Sequence, residues 1–128
     1  MGLVIPLKNS VSSSYWDLRN LVKTKLIKVE TIIESKLESK VELIQKMTKH
    51  HLSSGGKRLR AMLTLGSSKL SGYEIGDRDT NLASCVELIH AATLLHDDVI
   101  DESVLRRGSK TANSIWGNQS SILTGDYL

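Results

Sequence analysis

The sequence predicts an all-α fold, and three observations carry that reading. Apolar residues recur at helical spacing through most of the chain. The longest such run, from Arg78 to Arg107, is interrupted by neither Gly nor Pro. No segment shows the alternation and turn residues of paired strands. Composition agrees: Phe is absent and aromatic residues are 4% of the chain, so a core must rest on Leu, Ile, Val and Ala, which suits packed helices.

Residues 1–14 contain the single proline, Pro6, end in Ser12-Ser13-Ser14, and read as a loose lead-in. From Tyr15 to about Glu34, the positions Leu18, Leu21, Val22, Leu26, Val29 and Ile33 mark one helix face. Leu37, Val41, Ile44, Met47 and His51 mark a second, with Ser35 or Ser39 as its cap or as a bend. Ser53-Ser54-Gly55-Gly56 closes this pair, and after Lys57-Arg58-Leu59-Arg60 a third helix is expected from Ala61 to about Leu70. A loop over 72–78 leads to Asp79 or Thr80 as the N-cap of a long helix. That helix is expected from Asn81 to Leu105, on the order of 37 Å, with Arg106-Arg107-Gly108 ending it and Gly108 just past its last turn. Thr111–Trp116 reads as a short helix, Gly117-Asn118 as a break, and Ser120 onward as another helix. No internal repeat is present.

A chain of 128 residues is one domain or a piece of one. Its formal charge of +3 hides an asymmetry: residues 1–60 carry 12 Lys/Arg against 5 Asp/Glu, and residues 61–128 carry 5 against 9. In the basic half, lysines alternate with glutamates at helical spacing, as on a solvated helix, so no nucleic-acid partner is expected. Cys85 is the single cysteine, which excludes an internal disulfide and a thiolate zinc cluster. Met1-Gly2-Leu3-Val4-Ile5-Pro6 lacks the charged start of a signal peptide, and Pro6 stands where a myristoylation signal wants Ser or Thr. No apolar run has transmembrane length, and the expected location is cytoplasmic.

The chemistry concentrates around Leu94-Leu95-His96-Asp97-Asp98-Val99-Ile100-Asp101. On a helix, Asp97 and Asp101 share one face, where two carboxylates repel unless a cation lies between them. Such oxygen donors suit Mg²⁺, which takes few protein carboxylates and fills its shell with water and phosphate oxygens. From the spacing alone, a solvated acidic face is an equal reading. Gly55-Gly56-Lys57-Arg58-Leu59-Arg60 complements it: the glycines allow close backbone approach to an anion, and Lys57 and Arg60 sit at a helix N-terminus that already favours negative charge. A solvated basic turn is the plainer alternative. Arg106 and Arg107 suit phosphate, or simply a helix C-terminus. His90 lies seven residues before Asp97, near the same face, where a packed core histidine is the commoner case; His50, His51 and His96 are read as ordinary helix residues. Small and apolar side chains lead away from the aspartates through Thr93, Ala92, Ile89 and Cys85. Together these groups describe Mg²⁺-dependent handling of a diphosphate with an apolar tail.

At these residues the sequence resembles the trans-prenyltransferases, the polyprenyl diphosphate synthase family. Gly55-Gly56-Lys57-Arg58-Leu59-Arg60 is similar to its G-G-K-R-x-R motif, Asp97-Asp98-Val99-Ile100-Asp101 to its first D-D-x-x-D motif, and Arg106-Arg107-Gly108 to the arginine pair after it. Gly117-Asn118 and Leu123-Thr124-Gly125-Asp126 also fit the pattern, so the resemblance runs from about Tyr15 to the last residue. It implies the N-terminal part of the isoprenoid synthase helical bundle over 15–128. It implies condensation of isopentenyl diphosphate with an allylic prenyl diphosphate to a long-chain all-trans product, as for a quinone side chain. Asp97, Asp98 and Asp101 become the catalytic cluster, with Asp97 and Asp101 on the metal. Lys57, Arg60 and His90, with Arg107, bind isopentenyl diphosphate, and Arg106 contacts the allylic diphosphate. Ala92 and Thr93 border the tunnel for the growing tail, and their small size permits a long product. The family also implies a homodimer for a chain of full length.

Two departures stand out. Ala61 follows the last arginine where the family usually has Pro. Family members are far longer, and their second aspartate-rich motif has no counterpart here, so the chain is expected to be truncated and inactive alone. A non-catalytic partner subunit, a remnant, or a class I terpene cyclase fragment are the rival readings. The retained aspartates argue against the partner subunit, and the basic groups argue against the cyclase.

Overall fold

The computed structural model describes residues 7–53 and 56–128, with side chains from Ser14 onward. Pro6 and Gly55, each singled out in the sequence, lie outside the described residues. The elements are α1 (Leu7–Lys36), α2 (Glu42–Ser53), α3 (Leu59–Leu70), α4 (Arg78–Ile100), the short strands β1 (Leu105–Arg106) and β2 (Ser109–Lys110), α5 (Ala112–Trp116) and α6 (Asn118–Tyr127). The all-α expectation holds for the architecture.

The heptad-like stripe of α1 does what its spacing predicts. Val22, Leu26, Val29 and Ile33 are buried together against Ala61, Met62 and Leu65 of α3 and Ala83 of α4, and Leu37, expected to open the second helix, joins this cluster from just past the end of α1. Each aliphatic side chain fully buried this way contributes about 1.5–3 kcal/mol. A smaller cluster joins Met47 of α2, Leu95 of α4 and Ala112 of α5, with Trp116 packed against it. Helix α4 is the common wall, touching α1, α3, α5 and α6. Its buried stripe mixes Thr80, Ala83, Ser84, Glu87, Ala91, Leu95 and Asp98. The small members let neighbouring helices approach, and the carboxylates buried on this helix, Asp79, Glu87 and Asp98, require partners inside the protein.

Several boundaries differ from the sequence reading. Helix α1 begins at Leu7, so the serine triplet expected in a lead-in is helical. Ser39 does enter α2: its Oγ accepts from the Val41 N–H at 3.2 Å, and its carbonyl accepts from Gln45 at 2.7 Å. Helix α4 starts one turn early, with Asp77 rather than Asp79 or Thr80 at its N-cap. Asp79 is instead buried, paired with Lys25 of α1 at 2.5 Å and accepting the Thr80 N–H at 2.9 Å.

The largest correction is at the other end of α4. The helix stops at Ile100 rather than Leu105. Glu102 takes a left-handed conformation, φ 51°. The Ser103 N–H and the Asn113 side chain then both donate to the Asp98 carbonyl, at 2.9 and 3.2 Å, satisfying an acceptor that an ending helix leaves open. The chain then folds into an antiparallel pair, Leu105 opposite Lys110 and Arg106 opposite Ser109. Arg107 and Gly108, φ 51° and 81°, form its two-residue turn. Positive φ at both central positions is the turn geometry that matches strand twist. Gly108 therefore serves a hairpin, not a helix end, and the arginines sit on strand and turn.

Candidate functional site

A cavity of about 350 Å³ opens between the turn before α3, the middle of α4 and the β1–β2 hairpin. Lys57, Arg60, His90, Arg106 and Arg107 all line it, together with Gly56. These are the five side chains that the sequence singled out as anion binders. The hairpin tip reaches the turn closely: a Cβ placed on Gly56 would stand 3.9 Å from Arg107 Nη1. Lys57 is held over the Tyr15 ring at 5.9 Å, and Tyr15 donates its hydroxyl to the Lys57 carbonyl at 3.3 Å.

The cationic surroundings act on the histidines. Burial pushes the His90 imidazole below its ordinary value, and the charges of Arg60, Arg106 and Arg107 push the same way against Glu87. His90 is therefore neutral near pH 7, able to donate from one ring nitrogen and accept at the other. His51, also on the cavity wall, is lowered to about 4, by burial first, with Asp98 opposing and Arg106, His50 and His90 adding.

The three aspartates divide. Asp98 is 1% exposed. It takes a two-nitrogen grip from Arg106, whose Nη2 donates at 2.8 Å and whose Nε lies 3.1 and 3.2 Å from the two carboxylate oxygens. That grip, helped by the nearby charges of Asp97 and Asp101, raises the Arg106 guanidinium above its usual range against the effect of burial. Asp97 and Asp101 are exposed, one turn apart, with the Asp101 N–H donating to the Asp97 carbonyl at 2.8 Å. They share a face as the spacing requires, but neither lines the basic cavity. Among the described residues no three His, Cys, Asp or Glu side chains form a group able to hold a metal ion. Two exposed carboxylates one turn apart fit Mg²⁺ as partial ligands, since that ion accepts one or two protein oxygens beside water and phosphate.

Ala92 is half-buried and Thr93 exposed, its hydroxyl donating to the His90 carbonyl at 2.8 Å. Further down α4, Cys85, Leu88 and Ile89 border a mostly apolar hollow of about 490 Å³ with Ile32 and Tyr127.

The sequence pattern of the polyprenyl synthetase family matches residues 41–128, the greater part of the chain. The chain belongs to the polyprenyl synthetase family. It is 45% identical over 100 residues to the octaprenyl diphosphate synthase of Escherichia coli (strain K12), covering 78% of this chain and 31% of that protein. It is 42% identical over 104 residues to an all-trans-nonaprenyl-diphosphate synthase (geranyl-diphosphate specific) of Rhodobacter capsulatus, again covering 78% and 31%. The crystal structure of a polyprenyl synthase from Caulobacter crescentus CB15, complexed with calcium and isoprenyl diphosphate, superposes with a TM-score of 0.85 at 41% identity, over 88% of this chain and 34% of that one. A decaprenyl diphosphate synthase from Rhodobacter capsulatus gives 0.84 at 45% identity, over 88% and 35%. The chain thus spans about a third of the length of the relatives it matches. These matches establish the isoprenoid synthase fold. Among the described residues, no helix is long and apolar enough to cross a membrane.

Three members of this site have no role in the sequence reading. Arg58, between Lys57 and Arg60, lines the cavity while its guanidinium grips Glu30 at 2.8 and 3.2 Å. Glu87, to which the sequence assigns no chemical role, lines the cavity. His51, in sequence part of the α2 pattern, is on the cavity wall as well. The signal that could have found Glu87 is the periodic stripe of α4, which places it on the buried side.

Proposed function

We propose that this chain forms the isopentenyl diphosphate-binding part of a Mg²⁺-dependent trans-prenyltransferase that makes a long-chain all-trans polyprenyl diphosphate. The observation that carries the reading is the cavity into which Lys57, Arg60, His90, Arg106 and Arg107 converge from three separate elements. Cations gathered around a glycine turn at a helix start are suited to a diphosphate. Lys57 and Arg60 bind its oxygens, neutral His90 adds a hydrogen bond, and Arg107 closes the site from the hairpin. Arg106, gripped by Asp98, presents its outer edge toward an allylic diphosphate beside Asp97 and Asp101. Asp98 acts as a positioning residue rather than a metal ligand. Bound Mg²⁺ would supply charge stabilisation for a departing diphosphate. Octaprenyl and nonaprenyl names among the relatives, with small Ala92 and Thr93 below Asp97, support a long product. With two exposed carboxylates for a metal, the 128-residue chain is inactive alone; a chain of its relatives' length works as a homodimer.

Isothermal titration of the purified chain with isopentenyl diphosphate tests the reading. Saturable binding that weakens at least tenfold in Lys57→Ala and Arg60→Ala is expected. Equal binding by wild type and both variants would remove the site assignment.

A further inference from the structure

Glu87 is an odd residue to find on the wall of an anion site. It is 6% exposed and lines the same cavity as Lys57, Arg60, Arg106 and Arg107. Its charge repels any phosphate bound there. Its position requires another reason, and its partners supply one.

The Glu87 carboxylate faces the start of α3 rather than open space. Oε1 accepts the Ala61 backbone N–H at 3.0 Å, one of the donors that the first turn of a helix leaves without an internal partner. Oε2 lies 3.7 Å from Arg58 Nη1. Arg58 is itself the residue preceding α3, held in a left-handed conformation at φ 49° and ψ 37° that a bulky residue adopts only when its surroundings enforce it. Glu30 of α1 grips the same guanidinium from the other side. The basic turn is thus tied at its centre: Arg58 is held between the Glu30 and Glu87 carboxylates, and Lys57, Arg58 and Arg60 all line the cavity.

Ala61 stands where the resembling family usually carries Pro, and a proline has no N–H to give. The bond from position 61 to Glu87 exists here because the residue is alanine.

We infer that Glu87 is a positioning residue for the anion-binding turn, acting through the Ala61 N–H and Arg58 to set Lys57 and Arg60 toward a bound diphosphate. This role deepens the diphosphate reading and rests on it. It yields a prediction opposite in sign to simple charge counting. If Glu87 mattered only as a charge, Glu87→Gln and Glu87→Leu would both tighten anion binding, since each removes the same repulsion. A positioning role separates them. Glutamine keeps an oxygen for the Ala61 N–H, whereas leucine keeps the volume and loses the acceptor.

The test is titration of inorganic pyrophosphate into the 128-residue chain, well below the unfolding temperature of each variant. Expected are wild-type or tighter affinity for Glu87→Gln and at least tenfold weaker affinity for Glu87→Leu at unchanged stoichiometry. A loss of stability alone would lower the folded fraction, not the affinity of the folded molecules. Leucine binding as tightly as glutamine overturns the inference. Lys57→Ala is the control for the site itself: if it leaves pyrophosphate binding unchanged, the diphosphate reading fails, whereas weakening by Lys57→Ala without weakening by Glu87→Leu sinks only the positioning role. Should the leucine variant not fold, Ala61→Pro decides, because it deletes the N–H with a residue that a first helical turn accepts. At least threefold weaker binding supports the inference, and unchanged affinity overturns it.

Discussion

Arg106 closes on Asp98 across the break between α4 and the hairpin, with Nη2 and Nε both donating to one carboxylate. This pair fixes the direction in which the β1–β2 hairpin leaves the helix, and with it the approach of Arg107 to Gly56. His50 braces the far strand, its Nε2 2.8 Å from the Lys110 carbonyl and its ring edge-on to Trp116 at 5.2 Å. The arginine pair is therefore mounted on a short hairpin held from two helices.

Replacing Asp98 by Ala should leave Arg106 without its partner. Breaking a buried pair costs about 3–5 kcal/mol. Here 32% of the Arg106 side chain is exposed, so water takes up part of the loss, and roughly 2–3 kcal/mol is expected. Urea denaturation of wild type and Asp98→Ala measures it. Arg106→Lys should fall in between, because an ammonium cannot reproduce the planar two-point contact. An Asp98→Ala variant as stable as wild type would show that the hairpin is anchored elsewhere.

His51 predicts a pH dependence. Its folded value is about 4, against the ordinary 6.5 that applies once it is released from the fold. Between those values the unfolded chain binds a proton that the folded chain refuses, so stability is full above about 6.5 and is lost as the pH falls toward 4. A difference of this size corresponds to at most about 3 kcal/mol. His90, lowered in the same direction, adds to the slope. The check is unfolding free energy at pH 7, 5.5 and 4.5 for wild type and His51→Gln. The variant should show a flatter dependence over that window; parallel curves would remove His51 as its source.

The fold was legible where burial follows a period. Val22 to Ile33 on α1 needed only the spacing of aliphatic residues, and Lys57 and Arg60 needed only their density beside Gly55-Gly56, whereas Leu37, assigned by that spacing to the second helix, packs with the α1 stripe. The hairpin was not legible, because two-residue strands are too short to show alternation, and Val104-Leu105 continue the apolar rhythm of α4 past its real end. Arg107-Gly108 was the remaining clue, a dipeptide able to take two positive φ values. Contacts between distant segments were also hidden: Arg58 meets Glu30 and Glu87 across 28 and 29 positions, and no local pattern encodes which cation is held by carboxylates. Asp98 illustrates the same limit. The sequence separates it from Asp97 and Asp101, which share a face, but its own role as the buried partner of Arg106 emerges only from the fold.

That division of the aspartates gives a metal prediction. Asp97 and Asp101 are exposed and outside the basic cavity, so diphosphate binding without metal should not depend on them. Adding Mg²⁺ should tighten binding of an allylic diphosphate to wild type, and the increment should vanish in Asp97→Ala and Asp101→Ala. Titrations with and without Mg²⁺ separate the two contributions. In a catalytically competent chain of the relatives' length, the same replacements should lower turnover by about two orders of magnitude or more. A wild-type Mg²⁺ increment surviving in Asp97→Ala would move the metal to other ligands.

Product length provides the last prediction. Under the proposed function, a tail growing from a diphosphate near Asp97 would run along α4 toward its N-terminus. Thr93 and Ala92 lie about one turn below Asp97, and Ile89 about 12 Å below it. Ala92 and Thr93 present little bulk, and the mostly apolar hollow bordered by Ile89, Leu88 and Cys85 lies farther along the same helix. No aromatic residue occurs between Tyr73 and Trp116 to block that path from α4 itself. Tyr127 stands at the hollow rather than at the level of Ala92, so any obstruction it offers acts on a tail already several units long. Ala92→Tyr or Thr93→Tyr, placed in a competent enzyme of the relatives' length, should therefore shorten the product by several isoprene units while leaving isopentenyl diphosphate binding within about twofold of wild type. Separation of the extracted products by chain length reads this directly. A product unchanged by both tyrosines would show that the tail leaves along another helix, and a wild-type product no longer than farnesyl diphosphate would show that the path is already closed.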